Sequence, residues 1–199
     1  MINVYKYEDK DEESCRLKCL DDLDVYNNEI ISNEYEDSDK YIMKVVKKSD
    51  VKEYIRTYLT EVTKKMGLNT KFEINEDEDV FNVKMFSDNN PILIGKDGRT
   101  LSSLQLLLRQ SISNQINFNI HINLDASNYK VKKERFFEKD IKNIINEVLK
   151  TKDEVKLDPM NSYNRRLVHS IASDYYNIET ESFGEEPNRY VVIRYKEKK

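Results

Sequence analysis

The residues 94–99, Ile94-Gly95-Lys96-Asp97-Gly98-Arg99, place two of the chain's four glycines in one short turn. A GxxG spacing lets backbone N–H groups approach a sugar-phosphate strand with no Cβ in the way. The second glycine opens a helix whose positive end favours phosphate. Lys96 and Arg99 add mobile cations, whereas Asp97 is a like charge to phosphate. Taken alone, the same residues describe an ordinary surface turn. Arg165 and His169 form a second constellation, four residues apart. On a helix they share one face and can offer two donors to adjacent phosphates, or to a phosphate and a base. The plain alternative is a solvated helix face. Lys130, Lys132 and Lys133 form a third group, a basic run that reads as a phosphate-tracking surface or as a solvated helix start.

The elements that must hold these residues follow from hydrophobic periodicity. Val51, Ile55, Tyr58, Leu59 and Val62 recur at three- and four-residue spacing, predicting an amphipathic helix that ends at Gly67. Residues 71–74 and 80–86 read as strands, the second alternating Phe81, Val83 and Met85, with an acidic turn over 75–79 between them. Leu101, Leu104, Leu107, Leu108 and Ile112 put one apolar stripe on the helix after the GxxG turn, and residues 119–124 alternate as a third strand. Helix, strand, strand, short helix, GxxG, helix, strand is the order of a type II KH domain, a module that clamps about four nucleotides of single strand. Ile92, Leu93, Ile94 and Leu101 would line its groove, or serve as ordinary core. The RxxxH spacing is the signature of the R-three-H module. That module needs a sheet behind its helix, and residues 190–195 supply an alternating run after the turn at 184–187.

The first 48 residues have their own pattern: a strand at 5–7, a helix at 11–23 with Leu17, Cys19 and Leu20 inward, and strands at 29–35 and 41–46. Such a βαββ unit is near the lower size limit for independent folding, so it leans on another chain or on the KH domain. It reads as a docking module or as an accessory cap.

With 38% hydrophobic and 10% aromatic residues, 199 residues can bury two or three small cores but not one large enzyme domain with a deep cleft. Charged residues make up 35%, and no apolar run approaches a membrane span. No basic-then-apolar leader is visible, so the expected location is cytoplasmic, with no membrane insertion. Cys15 and Cys19 sit one helical turn apart and read as reduced thiols; no second pair completes a metal site. His121 and His169 are far apart in the chain, no nucleophile, P-loop or metalloprotease motif occurs, and the carboxylates fall in solvated runs such as 76–79, so no enzyme activity and no cofactor are expected. The net charge of −4 hides an uneven distribution. Residues 1–49 hold eight Lys+Arg against thirteen Asp+Glu, while residues 91–150 hold ten against six. A local basic face can bind a strand that the rest of the surface repels. Three to four phosphate contacts would make such binding fall roughly twenty- to fifty-fold between 50 and 200 mM salt.

Gly95-Lys96-Asp97-Gly98 with Thr100-Leu101-Ser102-Ser103-Leu104-Gln105, Asp125 followed by Asn128-Tyr129-Lys130, Pro159-Met160, Arg165-Arg166-Leu167-Val168-His169, and Gly184-Glu185-Glu186-Pro187 with Arg189 occur in one order. Together they resemble the bacterial Jag family, also called EloR or KhpB, over about residues 50–199. The resemblance implies an α+β chain with four parts: a Jag-N-like module at 1–48, a type II KH domain at 49–126, a connecting helix at 127–150 and an R-three-H domain at 151–199. It implies a cytoplasmic, post-transcriptional regulator that binds single-stranded RNA and is linked to cell elongation, division and cell-wall synthesis. A small single-KH protein is the implied partner, and self-association as a homodimer is implied as well. The implied RNA-binding residues are Ile94, Gly95, Lys96, Asp97, Gly98, Arg99, Lys130, Lys132, Lys133, Arg165, His169 and Arg189. Two departures stand out. The glycine-rich segment common in the family's N-terminal domain is missing from residues 1–49, and Tyr190 stands where a second arginine often follows Arg189. The competing reading is a protein-protein adaptor with weak or vestigial RNA contact.

Overall fold

Secondary structure follows the apolar spacing closely in the computed structural model, which describes residues 1–37, 40–77 and 79–197. The chain divides into two compact units, Met1–Tyr129 and Lys130–Lys199.

The first unit carries two small sheets. Strands β1 (Tyr5–Asp9), β2 (Ile30–Asp37) and β3 (Lys40–Lys47) form an antiparallel sheet in the order β1-β3-β2. Helix α1 (Glu12–Leu23) covers it, started by Asp11, whose carboxylate accepts from the Ser14 amide at 2.8 Å. Cys15, Cys19 and Leu23 form the inward stripe at i, i+4 and i+8 against Ile30, Met43 and Val45. Leu17 lies about 200° around the helix from Cys15 and is 62% exposed, contrary to the inward placement expected from sequence.

Helix α2 (Lys48–Lys65) follows β3 without a loop and buries Val51, Ile55, Leu59 and Thr63. The second sheet pairs β4 (Thr70–Asp77) antiparallel with β5 (Val80–Ser87), and β5 parallel with β6 (His121–Ala126). The crossover from β5 to β6 runs through α3 (Asn90–Ile94), the GxxG turn and α4 (Arg99–Ile116). Leu101, Leu104, Leu108, Ile112 and Ile116 are the buried stripe of α4; Leu107, about 100° from Leu108, is 53% exposed rather than part of it. Phe81, Val83, Met85, Leu93, Ile122 and Leu124 complete this core, and each full burial contributes about 1.5–3 kcal/mol. Ile2, ahead of β1, and Val46 of β3 belong to the same core, and the Ile2 amide donates to Gln115 Oε1 at 3.0 Å.

The acidic stretch expected as a turn is mostly strand: residues 75–77 continue β4, and Glu78 lies outside the described residues. Glu76 is not a solvated carboxylate. It pairs with Lys48 at 2.8 Å and Lys52 at 2.7 Å, and Lys48 also reaches Asp79 at 3.1 Å. Burial disfavours the Lys48 ammonium, but the bonds to Glu76 and Asp79 outweigh it and hold its pKa above the ordinary lysine value.

In the second unit, α5 (Tyr129–Thr151) supplies Ile141, Ile145 and Val148, and α6 (Ser162–Ser173) supplies Val168, Ile171 and Ala172, to one core. Strands β7 (Val155–Lys156), β9 (Tyr190–Tyr195) and β8 (Ile178–Phe183) form the antiparallel sheet β7-β9-β8, which adds Ile178, Val191 and Ile193. The fold class is α+β.

Candidate nucleic-acid interface

Chain direction is reversed between β5 and α4 by a sequence of local bonds. Asn89 begins α3 and its side chain accepts from the Ile92 amide at 3.4 Å. The Gly95 amide then closes α3 on the Pro91 carbonyl at 2.8 Å, and the Gly98 amide donates to Gly95 O at 3.2 Å. Gly95 has φ +72° and ψ 177°, Asp97 φ +57° and Gly98 φ +82°. Gly95 occupies a region open essentially to glycine alone, while aspartate tolerates the left-handed conformation at 97.

Both glycines are filled from the protein side. A Cβ on Gly95 would stand 2.1 Å from Thr100 Oγ1, and one on Gly98 would stand 2.6 Å from Cε1 of Tyr129. Ser127 and Asn128, both left-handed at φ +53° and +56°, swing the chain out of β6 and set the Tyr129 ring against Gly98. The turn is thus braced on its inner side.

Behind the turn, α4 starts with no side-chain cap. Its leading N–H groups carry the positive end of an 18-residue helix. The helix axis is pinned on β6: Arg109 Nε donates to the Ile122 carbonyl at 2.8 Å, and Gln105 Oε1 accepts from the Leu124 amide at 2.8 Å. Lys96 and Arg99 are exposed and make no ion pair among the described residues; Asp97 is exposed beside them. The apolar quartet expected to line a groove divides. Leu93 and Leu101 are core, Ile94 is half-buried, and Ile92 is exposed.

The second constellation is built differently from two open donors. Asn161 caps α6 by accepting from the Asn164 amide at 2.9 Å. Arg165 is only 8% exposed; its Nη1 donates to the Met160 carbonyl at 2.7 Å and pairs with Glu186 at 2.8 Å. His169 is half-buried, with Nδ1 bonded to Thr180 Oγ1 at 2.8 Å and Nε2 to Ser182 Oγ at 2.9 Å. Burial first, and the Arg165 charge second, lower its pKa below the ordinary histidine value and favour the neutral ring. Arg165 therefore braces α6 to the turn around Glu186, and His169 braces it to β8. Arg189 is exposed on the strand side of that turn, and its carbonyl accepts from the Met160 amide at 3.0 Å.

The six loop residues 94–99 are brought together in the first unit. Arg165 and His169 are brought together in the second, which also holds Arg189 and, on the first turns of α5, the exposed Lys130, Lys132 and Lys133. Arg166 is the exposed member of the Arg165-Arg166 pair, whereas Arg165 lies on the buried seam with Val168 and Ala172.

Residues 52–124 match a family model described as KhpA/KhpB, KH domain, and residues 135–195 match the R-three-H domain. Among curated proteins, the chain is similar to the RNA-binding protein KhpB of Clostridium symbiosum, at 39% identity over 131 residues covering 66% of this chain and 59% of that protein. The chain belongs to the KhpB/Jag family. The Bacillus subtilis protein of the same name is 29% identical over 157 residues, 78% of this chain and 76% of that protein. That of Lactiplantibacillus plantarum is 27% identical over 136 residues, 68% and 42%. The alignment with the first of these family members spans about three-fifths of its length. The GxxG turn lies within the matched KH region, and Arg165, His169 and Arg189 lie within the matched R-three-H region.

Proposed function

We propose that this chain binds single-stranded RNA, with the strand's phosphates clamped at residues 94–99. The reading rests on the uncapped start of α4 directly behind the turn, with the exposed Lys96 and Arg99 beside it. Membership in a family whose curated members are named RNA-binding proteins supports the same chemistry. Lys130, Lys132, Lys133 and Arg189 are proposed as further phosphate contacts, and Arg165 and His169 as residues that act by holding the second site in shape. Division into parts at 1–48, 49–126, 127–150 and 151–199 is the proposed domain organisation. Family membership also supports a cytoplasmic, post-transcriptional regulator tied to cell elongation, division and wall synthesis. It supports a small single-KH partner, in keeping with the paired name of the matched KH model, and a homodimer.

The test is fluorescence anisotropy of a labelled, randomised single-stranded RNA pool with the intact protein and a Lys96→Asp, Arg99→Glu double variant, at 50 and 200 mM salt, after circular dichroism shows both folded. Salt-dependent binding that the double change abolishes is expected. Equal or absent binding in both proteins would remove the clamp and favour the adaptor reading.

A further inference from the structure

Two adjacent phenylalanines in α5 have opposite fates. Phe137 packs half-buried against the core that holds Ile141, Ile145 and Val148, whereas Phe136 is 67% exposed. Nine residues at 100° each place Phe136 on the face opposite Ile145. Lys133 and Lys132, three and four positions before it, and Lys139 and Asp140, three and four after it, share that face. Three ammonium groups thus flank the ring against one carboxylate. Glu134 lies about 200° around the helix from Phe136 and is taken up by the Tyr163 hydroxyl of α6. Lys132 and Lys139 make no ion pair among the described residues.

We propose that this face of α5 is a stacking platform for single-stranded RNA, with a nucleobase on Phe136 and phosphates on Lys132, Lys133 and Lys139. It is distinct from the turn at 95–98 and from the Arg165–His169 pair, and it rests on the RNA-binding reading above. Every base offers a flat π-face to an aromatic ring, and cations on either side track the backbone. The lysines stand about 4.5–6 Å from Phe136 along the helix axis, on the same side. The core of a protein–protein contact is depleted of lysine and aspartate, whereas here the helical neighbours nearest the ring are charged and positive in sum.

The experiment uses the full chain and a labelled, random-sequence single-stranded 12-mer, comparing wild type, Phe136→Ala, Phe136→Trp and Lys132→Gln/Lys139→Gln. Sedimentation and circular dichroism are recorded in parallel. Phe136→Ala is expected to weaken binding roughly five- to hundred-fold with an unchanged fold, and Phe136→Trp to recover it. The lysine pair should reduce the slope of log K against log salt by about 1.4. RNA binding by wild type that Phe136→Ala leaves within twofold would overturn the platform and leave the RNA reading standing. A Phe136→Ala change in sedimentation without a change in RNA affinity would assign the face to a second copy of the chain. Equal losses in the Ala and Trp variants would overturn stacking. No binding by wild type would overturn the RNA reading and the platform with it.

Discussion

Gly98→Ala separates the bracing of the GxxG turn from its chemistry. The added methyl must adopt φ +82°, where an L-residue loses about 1–2 kcal/mol. It must also displace the Tyr129 ring, whose Cε1 would lie 2.6 Å away, an overpacking cost of about 1–3 kcal/mol. The sum is about 2–5 kcal/mol, against a total domain stability of about 5–15. With a urea slope of about 2 kcal/mol/M, the midpoint of the first unit should fall by about 1–2.5 M. Because two units can unfold separately, circular dichroism should be paired with hydrogen exchange that assigns the transition to α4 and β6. Tyr129→Ala removes the obstacle, so the Gly98→Ala, Tyr129→Ala double variant should show a coupling of about 1–3 kcal/mol toward rescue, leaving only the backbone term. Gly95→Ala should be worse and not rescued at Thr100, because ψ 177° at a φ of +72° is barred to alanine whatever the neighbour. A loss under about 1 kcal/mol for Gly98→Ala, or additivity in the double variant, would refute the account of an inner brace.

Two further outcomes follow from the second unit. Arg165→Ala removes the bond to the Met160 carbonyl and the ion pair with Glu186, so it should lower the stability of that unit by about 1.5–3 kcal/mol in urea, whereas Arg166→Ala should change it by less than about 0.5. His169 has a folded-state pKa below its ordinary 6.5. Its unfolded form therefore binds more protons as pH drops, and the stability it contributes is complete above pH 6.5 and is lost below it. Thermal melts between pH 7.5 and 5.5 should fall less steeply for His169→Gln than for wild type; parallel curves would contradict the neutral, doubly bonded ring.

Periodicity made most elements legible, because the apolar stripe and the buried face coincide wherever a helix packs on one side only. The crossover order that sets the GxxG turn between β5 and α4 could be read in this way. What spacing does not encode is which of several apolar residues the core needs. Leu17 and Leu107 are apolar but turned away, since Cys15, Cys19 and Leu23, and Leu104, Leu108 and Ile112, already close their seams. Nor does RxxxH spacing reveal depth: Arg165 falls on the Val168–Ala172 seam and is drawn into the core by Met160 O and Glu186, contacts that no local pattern announces. The merging of Ile2 and Val46 with the second sheet's core is a long-range event of the same kind. Asn75, Glu76 and Asp77 read as a turn from composition, yet cross-strand pairing with β5 keeps them in β4, and the Lys48 and Lys52 ammonium groups neutralise Glu76.

Titration of the 15N-labelled chain with a short single-stranded RNA, followed amide by amide, locates the strand on the protein. Saturable, salt-sensitive shifts led by Gly95, Lys96, Gly98, Arg99 and the first turn of α4 are expected, and they should disappear in the Lys96→Asp, Arg99→Glu variant. Shifts confined to other parts of the chain, with those amides unmoved at saturation, would contradict the clamp at residues 94–99.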